Sequence, residues 1–125
     1  MKYMLLVHHS EDVLGKLSET ELQQMRAESV QLANEINASG EYLDAAPLHP
    51  ASTATCVRVR ERKQLVTDGP FAETREQLGG YFLINARNLD EAIGIAGRIP
   101  GARIGTVEIR PVMELAGLPE KWRND

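Results

Sequence analysis

The segment from Ser18 to Gly40 restricts the fold more than any other part of the chain. Ser18 and Glu21 have the S-x-x-E spacing of a capping box, in which each side chain takes a backbone N–H that the first helical turn leaves unpaired. Beyond them Leu22, Met25, Ser29, Leu32, Ala33 and Ile36 recur at helical spacing and share one stripe roughly 100° wide. Gln24, Glu28, Gln31 and Glu35 cover the opposite face, and Gly40 stands where a C-cap glycine belongs. A long helix with a single apolar stripe must bury that stripe, and a sheet on one side of it is the simplest cover.

Strand signals flank this helix. Residues 2–8, KYMLLVH, are a bulky apolar run reaching almost to the N-terminus, and a polar loop, HSEDVLGKL, leads from them to the helix. Residues 42–48, YLDAAPL, form a second strand limited by Pro47 and Pro50. Residues 55–67, TCVRVRERKQLVT, read as two strands joined by a tight polar turn near Glu61 to Lys63, with one face of the hairpin in water. GGYFLINA at 79–86 is nearly all apolar, as a central strand requires.

Asn88 then caps a second helix, with Glu91 at the capping-box position and Ala92, Ile93, Ala96 and Ile99 as its apolar side, until Pro100 and Gly101 stop it. RIGTVEIRPVMEL, residues 103–115, supplies the last strand. The order is strand, helix, strand, inserted hairpin, strand, helix, strand. That is an α+β chain with the ferredoxin-like βαββαβ pattern, an antiparallel sheet with both helices on one face. Residues 1–115 make one domain and 116–125 a tail, in which Trp122 is expected to dock on a partner subunit.

Such a sheet leaves its second face bare. In the last strand Gly105, Val107 and Ile109 suit the helix-covered face, which turns Glu108 and Arg110 to the open one. A face mixing these charges with apolar neighbours calls for a partner, and the expectation is a homodimer whose two sheets enclose a cavity. Fourteen Lys and Arg against eighteen Asp and Glu leave a net charge of −4, which argues against nucleic acid as a partner. Cys56 is alone, so neither an intrachain disulfide nor a cysteine-based zinc site is available within one chain. No signal peptide or membrane-length apolar run is legible, and a cytoplasmic location fits.

Candidate chemistry lies in two places. In VTDGPFAETREQLGGY, residues 66–81, Asp68 reads either as a turn carboxylate accepting backbone N–H groups or as a general base at a cavity mouth. Phe71 reads as a core plug, Thr74 and Gln77 as the cap of a short helical turn, and Glu73, Arg75 and Glu76 as a solvated face. Gly79 and Gly80 permit close packing or a bulge, since neither the Lys nor the following helix of a phosphate loop is present. On the open face Glu108 and Arg110 form either a structural ion pair or a ligand site, with Arg110 as a bidentate anchor and Glu108 as a base. His8 shares a face with Met4 and Leu6 and is the candidate proton relay; His9 points the other way. His49 lies where it can approach the open face. The catalytic candidates are thus Asp68, His8 and Glu108, and the candidate ligand contacts are Arg110, His49 and Glu73. No metal ion or cofactor is expected, because no histidine has a carboxylate or second imidazole at ligand spacing.

MKYMLLV, VTDGPFAETREQLGGYFLINA, NLDEAIGIAGRIP and GTVEIRPV occur in this order and cover most of the chain, which resembles the YCII-related proteins of the DGPF branch. The resemblance implies a ferredoxin-like, dimeric α/β barrel with the hairpin leading into the DGPF turn. It also implies kinship with barrels that include monooxygenases, dehalogenase-like and isomerase-like enzymes and heme-handling proteins. Some DGPF members are encoded beside or fused to extracytoplasmic-function sigma factors, which implies a regulatory role as the alternative to a cofactor-independent enzyme acting on a small organic molecule. The wider group has a suggested catalytic His and Asp pair; its Asp falls on Asp68, and its His has no matching position here.

Overall fold

The computed structural model describes residues 1–119, so the tail's Trp122 lies outside the described residues. The elements run β1 (Lys2–His9), α1 (Glu11–Gly15), α2 (Glu19–Ala38), β2 (Tyr42–Pro47), β3 (Thr55–Arg60), β4 (Lys63–Asp68), β5 (Gln77–Asn85), α3 (Leu89–Ala96) and β6 (Gly105–Pro111). Of these, α1 has no counterpart in the sequence reading, and neither do the short 3-10 turns Ala51–Thr53 and Pro100–Arg103. Helix α1 is a single turn with no buried residue and no capping side chain, so no periodicity announces it.

The capping box of α2 is complete: Glu21 N–H donates to Ser18 Oγ and Ser18 N–H to Glu21 Oε1, both at 3.1 Å. The expected stripe is the one that packs, with Leu32 and Ile36 buried and Leu22, Met25, Ser29 and Ala33 half-buried. In α3 the Asn88 carboxamide accepts Glu91 N–H at 2.9 Å, but the Glu91 carboxylate turns to Arg87 and does not close a capping box. The packed residues are Ala92, Ile95, Ala96 and Ile99, whereas Ile93 is 51% exposed. Positions 92, 95, 96 and 99 follow the i, i+3, i+4, i+7 stripe, and Ile93 falls a quarter-turn outside it.

Four strands form one antiparallel sheet in the order β2-β5-β1-β6. With the inserted hairpin set aside, this arrangement is compatible with a ferredoxin-like fold. Tyr3, Leu5 and Val7 of β1 and Phe82 and Ile84 of β5 meet Leu32 and Ile36 of α2 and Ala92 and Ile95 of α3 in one core. The alternation of β1 sends Tyr3, Leu5 and Val7 into that core and Met4, Leu6 and His8 to the other face. Each fully buried aliphatic side chain contributes about 1.5–3 kcal/mol of transfer free energy, so the core rather than any single polar contact holds helices and sheet together.

The hairpin stands apart. β3 and β4 form a separate two-stranded sheet, with Val57 opposite Val66 and Arg58 opposite Leu65. The sequence predicted one covered face, but both faces are in solvent and only Cys56 is half-buried. The cause is topological: among the described residues the hairpin pairs only with itself and joins neither edge of the larger sheet. Phe71, in the loop that follows, is 78% exposed and is not a core plug. That loop contains no helical turn; Thr74 Oγ1 donates to Glu76 O at 2.6 Å, and the Gln77 carboxamide donates to Ala72 O at 3.2 Å and Thr74 O at 3.1 Å. These side-chain bonds to the backbone replace helical ones.

The double glycine has the packing role expected of it. The β1–β5 register shifts between Val7 and His8, and the His9 imidazole occupies the space that a Cβ at Gly79 would need. The bulge leaves Gly79 beside the His9 ring, where the strand has no side chain to oppose it.

Candidate functional site

The strand registers lay the open face out as a grid. One row crosses the sheet as Asp44, Leu83, Met4 and Arg110, and the next as Ala46, Tyr81, Leu6 and Glu108. His8, opposite Thr106 and Leu78, begins a third row. With strands about 4.8 Å apart, each full row spans about 14 Å. Polar groups therefore stand at both edges of an apolar centre.

At the β6 edge three side chains join. His8 Nε2 lies 3.1 Å from Glu108 Oε1, and Arg110 Nη1 lies 3.6 Å from Glu108 Oε2. The glutamate sits between a titratable ring and a fixed cation, using a different oxygen for each. Arg110 is 67% exposed, and among the described residues its remaining guanidinium N–H groups have no other acceptor. Beside them Thr106 Oγ1 donates to Glu76 Oε1 at 2.9 Å, which brings a second carboxylate to the rim of the face.

At the β2 edge Tyr81 donates its phenol proton to Asp44 Oδ2 at 2.7 Å. This hydrogen bond, followed by burial and the negative charge of Asp44, raises the Tyr81 phenol above its ordinary value. Leu83, between the two edges, is only 1% exposed. Asp44 and Tyr81 were not among the sequence candidates. The signal was present: Asp44 is the only charge in YLDAAPL, and Tyr81 the only phenol in GGYFLINA.

The structure brings His8, Glu108 and Arg110 together and leaves the other three candidates apart. Asp68 is exposed at the end of β4, opposite Thr55. Among the described residues no backbone N–H donates to its carboxylate. The DGPF corner is held instead by Gly69 N–H donating to Ala54 O at 2.7 Å and by the Cys56 thiol donating to Gly69 O at 3.2 Å. Gly69 has φ +88, a backbone conformation open to glycine and costly for other residues. His49 is exposed between β2 and β3, and Glu73 is exposed between β4 and β5.

Concavity and chemistry do not coincide in the single chain. A cleft of about 480 Å³ lies at the other end of the sheet between Met1, Ser39, Glu41, Asn85, Arg87 and Glu91. Arg87 and, second, Glu41 hold the Glu91 carboxyl below its ordinary value there. That cleft is open and polar, and its groups already satisfy one another, so the grid on the open face is the better-placed chemistry. Among the described residues no group of three His, Cys, Asp or Glu side chains is arranged to hold a metal ion, and no helix is long and apolar enough to cross a membrane.

Comparison with known proteins agrees with the sequence pattern. The family model described as YCII-related domain matches residues 1–116. The chain is also 32% identical over 114 residues to an uncharacterized protein of Rhizobium meliloti (strain 1021), covering 90% of this chain and 92% of that one. A match of this extent takes in the helices, the open face and the hairpin together, and the chain belongs to the YCII-related family.

Proposed function

We propose that the protein acts as a homodimer whose open sheet faces meet and enclose a pocket for a small organic molecule bearing a carboxylate. The observation that carries this reading is the joined set His8, Glu108 and Arg110 on the sheet face turned away from the helix-packed core. Two such faces brought together at more than the roughly 10 Å of interdigitated sheets leave a chamber lined by these groups and by Met4 and Leu6. Excluding water there strengthens every charge interaction inside, which a flat exposed face does not offer.

In that chamber Arg110 anchors the ligand carboxylate through its free N–H groups. His8 Nε2 and Glu108 Oε1 are within hydrogen-bond reach at 3.1 Å, so the pair can accept a proton from a ligand C–H or O–H and return it elsewhere on the same molecule. This is cofactor-independent proton transfer of the isomerase type. Asp68, His49 and Glu73 lie outside the cluster, and the reading assigns them no step.

A second reading is a ligand-binding or regulatory dimer without catalysis, coupled to a sigma-factor system. The layout of the rows favours it: polar pairs at both edges and an apolar centre suffice to hold a molecule without transforming it.

One set of measurements separates these. A panel of small mono- and dicarboxylates is screened by thermal shift on the wild type and Arg110→Ala, and hits are incubated in D2O while NMR follows exchange of their carbon-bound hydrogens. Binding lost in Arg110→Ala, with exchange lost in His8→Ala, supports the enzyme. Binding without exchange supports the binding dimer. A chain that sediments as a monomer at micromolar concentration sinks both.

A further inference from the structure

A two-stranded hairpin alone in water is marginally stable at best. Here β3 and β4 nevertheless form regular strands six residues long with a full register, and of their side chains only Cys56 is half-buried. Val57, Val59 and Val66 share one face at 55%, 61% and 59% exposure, and Leu65 lies on the other at 48% beside Arg58, Arg60 and Lys63. Apolar strips of this kind on a protruding element mark a contact surface.

We infer that this hairpin is an arm that packs on a second copy of the chain, reaching over that copy's open sheet face so that each pocket is walled in part by the partner's arm. The inference rests on the paired-sheet dimer proposed above. Charge selects the occupant. Residues 55–68 carry four cations (Arg58, Arg60, Arg62, Lys63) against two acids (Glu61, Asp68), a net of +2, in a chain of net −4, so the remainder carries −6. On or at the rim of the open face the acids Asp44, Glu76, Glu108 and Glu114 outnumber the cations Lys2 and Arg110. A basic arm therefore meets an acidic rim when it lies on another copy of the same chain.

Geometry agrees. Six-residue strands reach about 20 Å, enough to cross the roughly 14 Å width of a four-stranded sheet. Among the described residues, the arm and the open face, with half-buried Met4 and Leu6 and the 42% exposed Leu78, are two separate apolar surfaces. In a two-fold contact the arm of each protomer meets the face of the other, and one symmetry operation covers both surfaces twice. A foreign partner would have to cover two separate surfaces. A nucleic acid would be attracted by the arm and repelled by the rest of the chain.

The test combines sedimentation with amide hydrogen exchange at protein concentrations on both sides of dimer dissociation. The expected result is a dimer in which the amides of residues 55–68 exchange at least roughly tenfold more slowly than in the monomer. Arg58→Glu/Arg60→Glu, at exposed positions that leave the core untouched, is expected to weaken dimerisation by roughly tenfold or more. Val57→Thr/Val66→Thr, which keeps β-branching, serves as the independent variant and is expected to weaken the dimer as well. If the wild type is a dimer whose hairpin amides stay unprotected, or if both variants dimerise normally, the arm is overturned while the paired-sheet reading stands. If the wild type is monomeric, the paired-sheet reading fails and the arm with it. Protection that appears only on adding a duplex DNA oligomer also overturns the arm.

Discussion

His8 and Glu108 are separated by 100 residues in the chain, yet their side chains lie 3.1 Å apart, one strand over and diagonal across the β1–β6 ladder. The contact exists because α2 and α3 pack on one face and leave these positions on the other. Partly exposed pairs of this kind are worth about 0–1 kcal/mol to folding. Glu108→Gln and Arg110→Ala are therefore expected to change unfolding free energy by less than about 1 kcal/mol in urea titrations, with carboxylate binding abolished in Arg110→Ala and kept in Glu108→Gln. A loss of several kcal/mol in either variant would mean that the cluster is a structural brace.

The core sets the contrasting scale. Ile36 is 1% exposed and sits among Leu5, Ile84 and Ile95 in the core. Ile36→Ala removes a packed side chain that the rigid sheet beneath it cannot follow, and a cost of about 2–5 kcal/mol is expected in the same titration. A cost below about 1 kcal/mol would show that α2 is loosely seated on the sheet.

What the sequence made legible follows from periodicity. The α2 stripe, the Asn88 cap, the alternation of β6 and the bulge at Gly79 are all local, so the residues that produce them also announce them. The fate of the hairpin is not local: Val57 and Val59 alternate with Arg58 and Arg60 as a half-covered strand does, and nothing in that pattern says whether a cover exists in the same chain. Ile93 reads as part of the apolar side yet faces solvent, because an eight-residue helix has too few turns to separate neighbouring stripes. Asp68 drew attention through an unusual neighbourhood, whereas Asp44 and Tyr81 are joined only by a β2–β5 register that is shifted between Tyr42 and Asp44.

The Tyr81–Asp44 bond carries a pH signature. Donation to the carboxylate favours the protonated phenol and raises its pKa in the folded state above the ordinary value of about 10. Its stabilisation is fully present below that ordinary value and is lost as pH rises through the higher folded value. A phenolate absorbance titration, wild type minus Tyr81→Phe, is expected to show a step above pH 10, and Asp44→Asn is expected to move it down. A step at or below the ordinary value in the wild type would contradict the hydrogen bond.

The β3–β4 turn offers a test on the hairpin itself. Glu61 and Arg62 have φ 50 and φ 65, so both central residues take the left-handed conformation that a two-residue hairpin turn demands. Neither is glycine or asparagine, and each side chain in that region costs on the order of 1 kcal/mol against a residue that adopts it readily. Glu61→Asn/Arg62→Gly relieves that strain without touching either strand face. The double variant is expected to slow amide exchange in residues 55–68 by roughly fivefold or more, matching about 1 kcal/mol or more of added local stability. Faster exchange would mean that Glu61 or Arg62 makes a contact in the assembled protein worth more than the strain, and removal of each alone would then identify which.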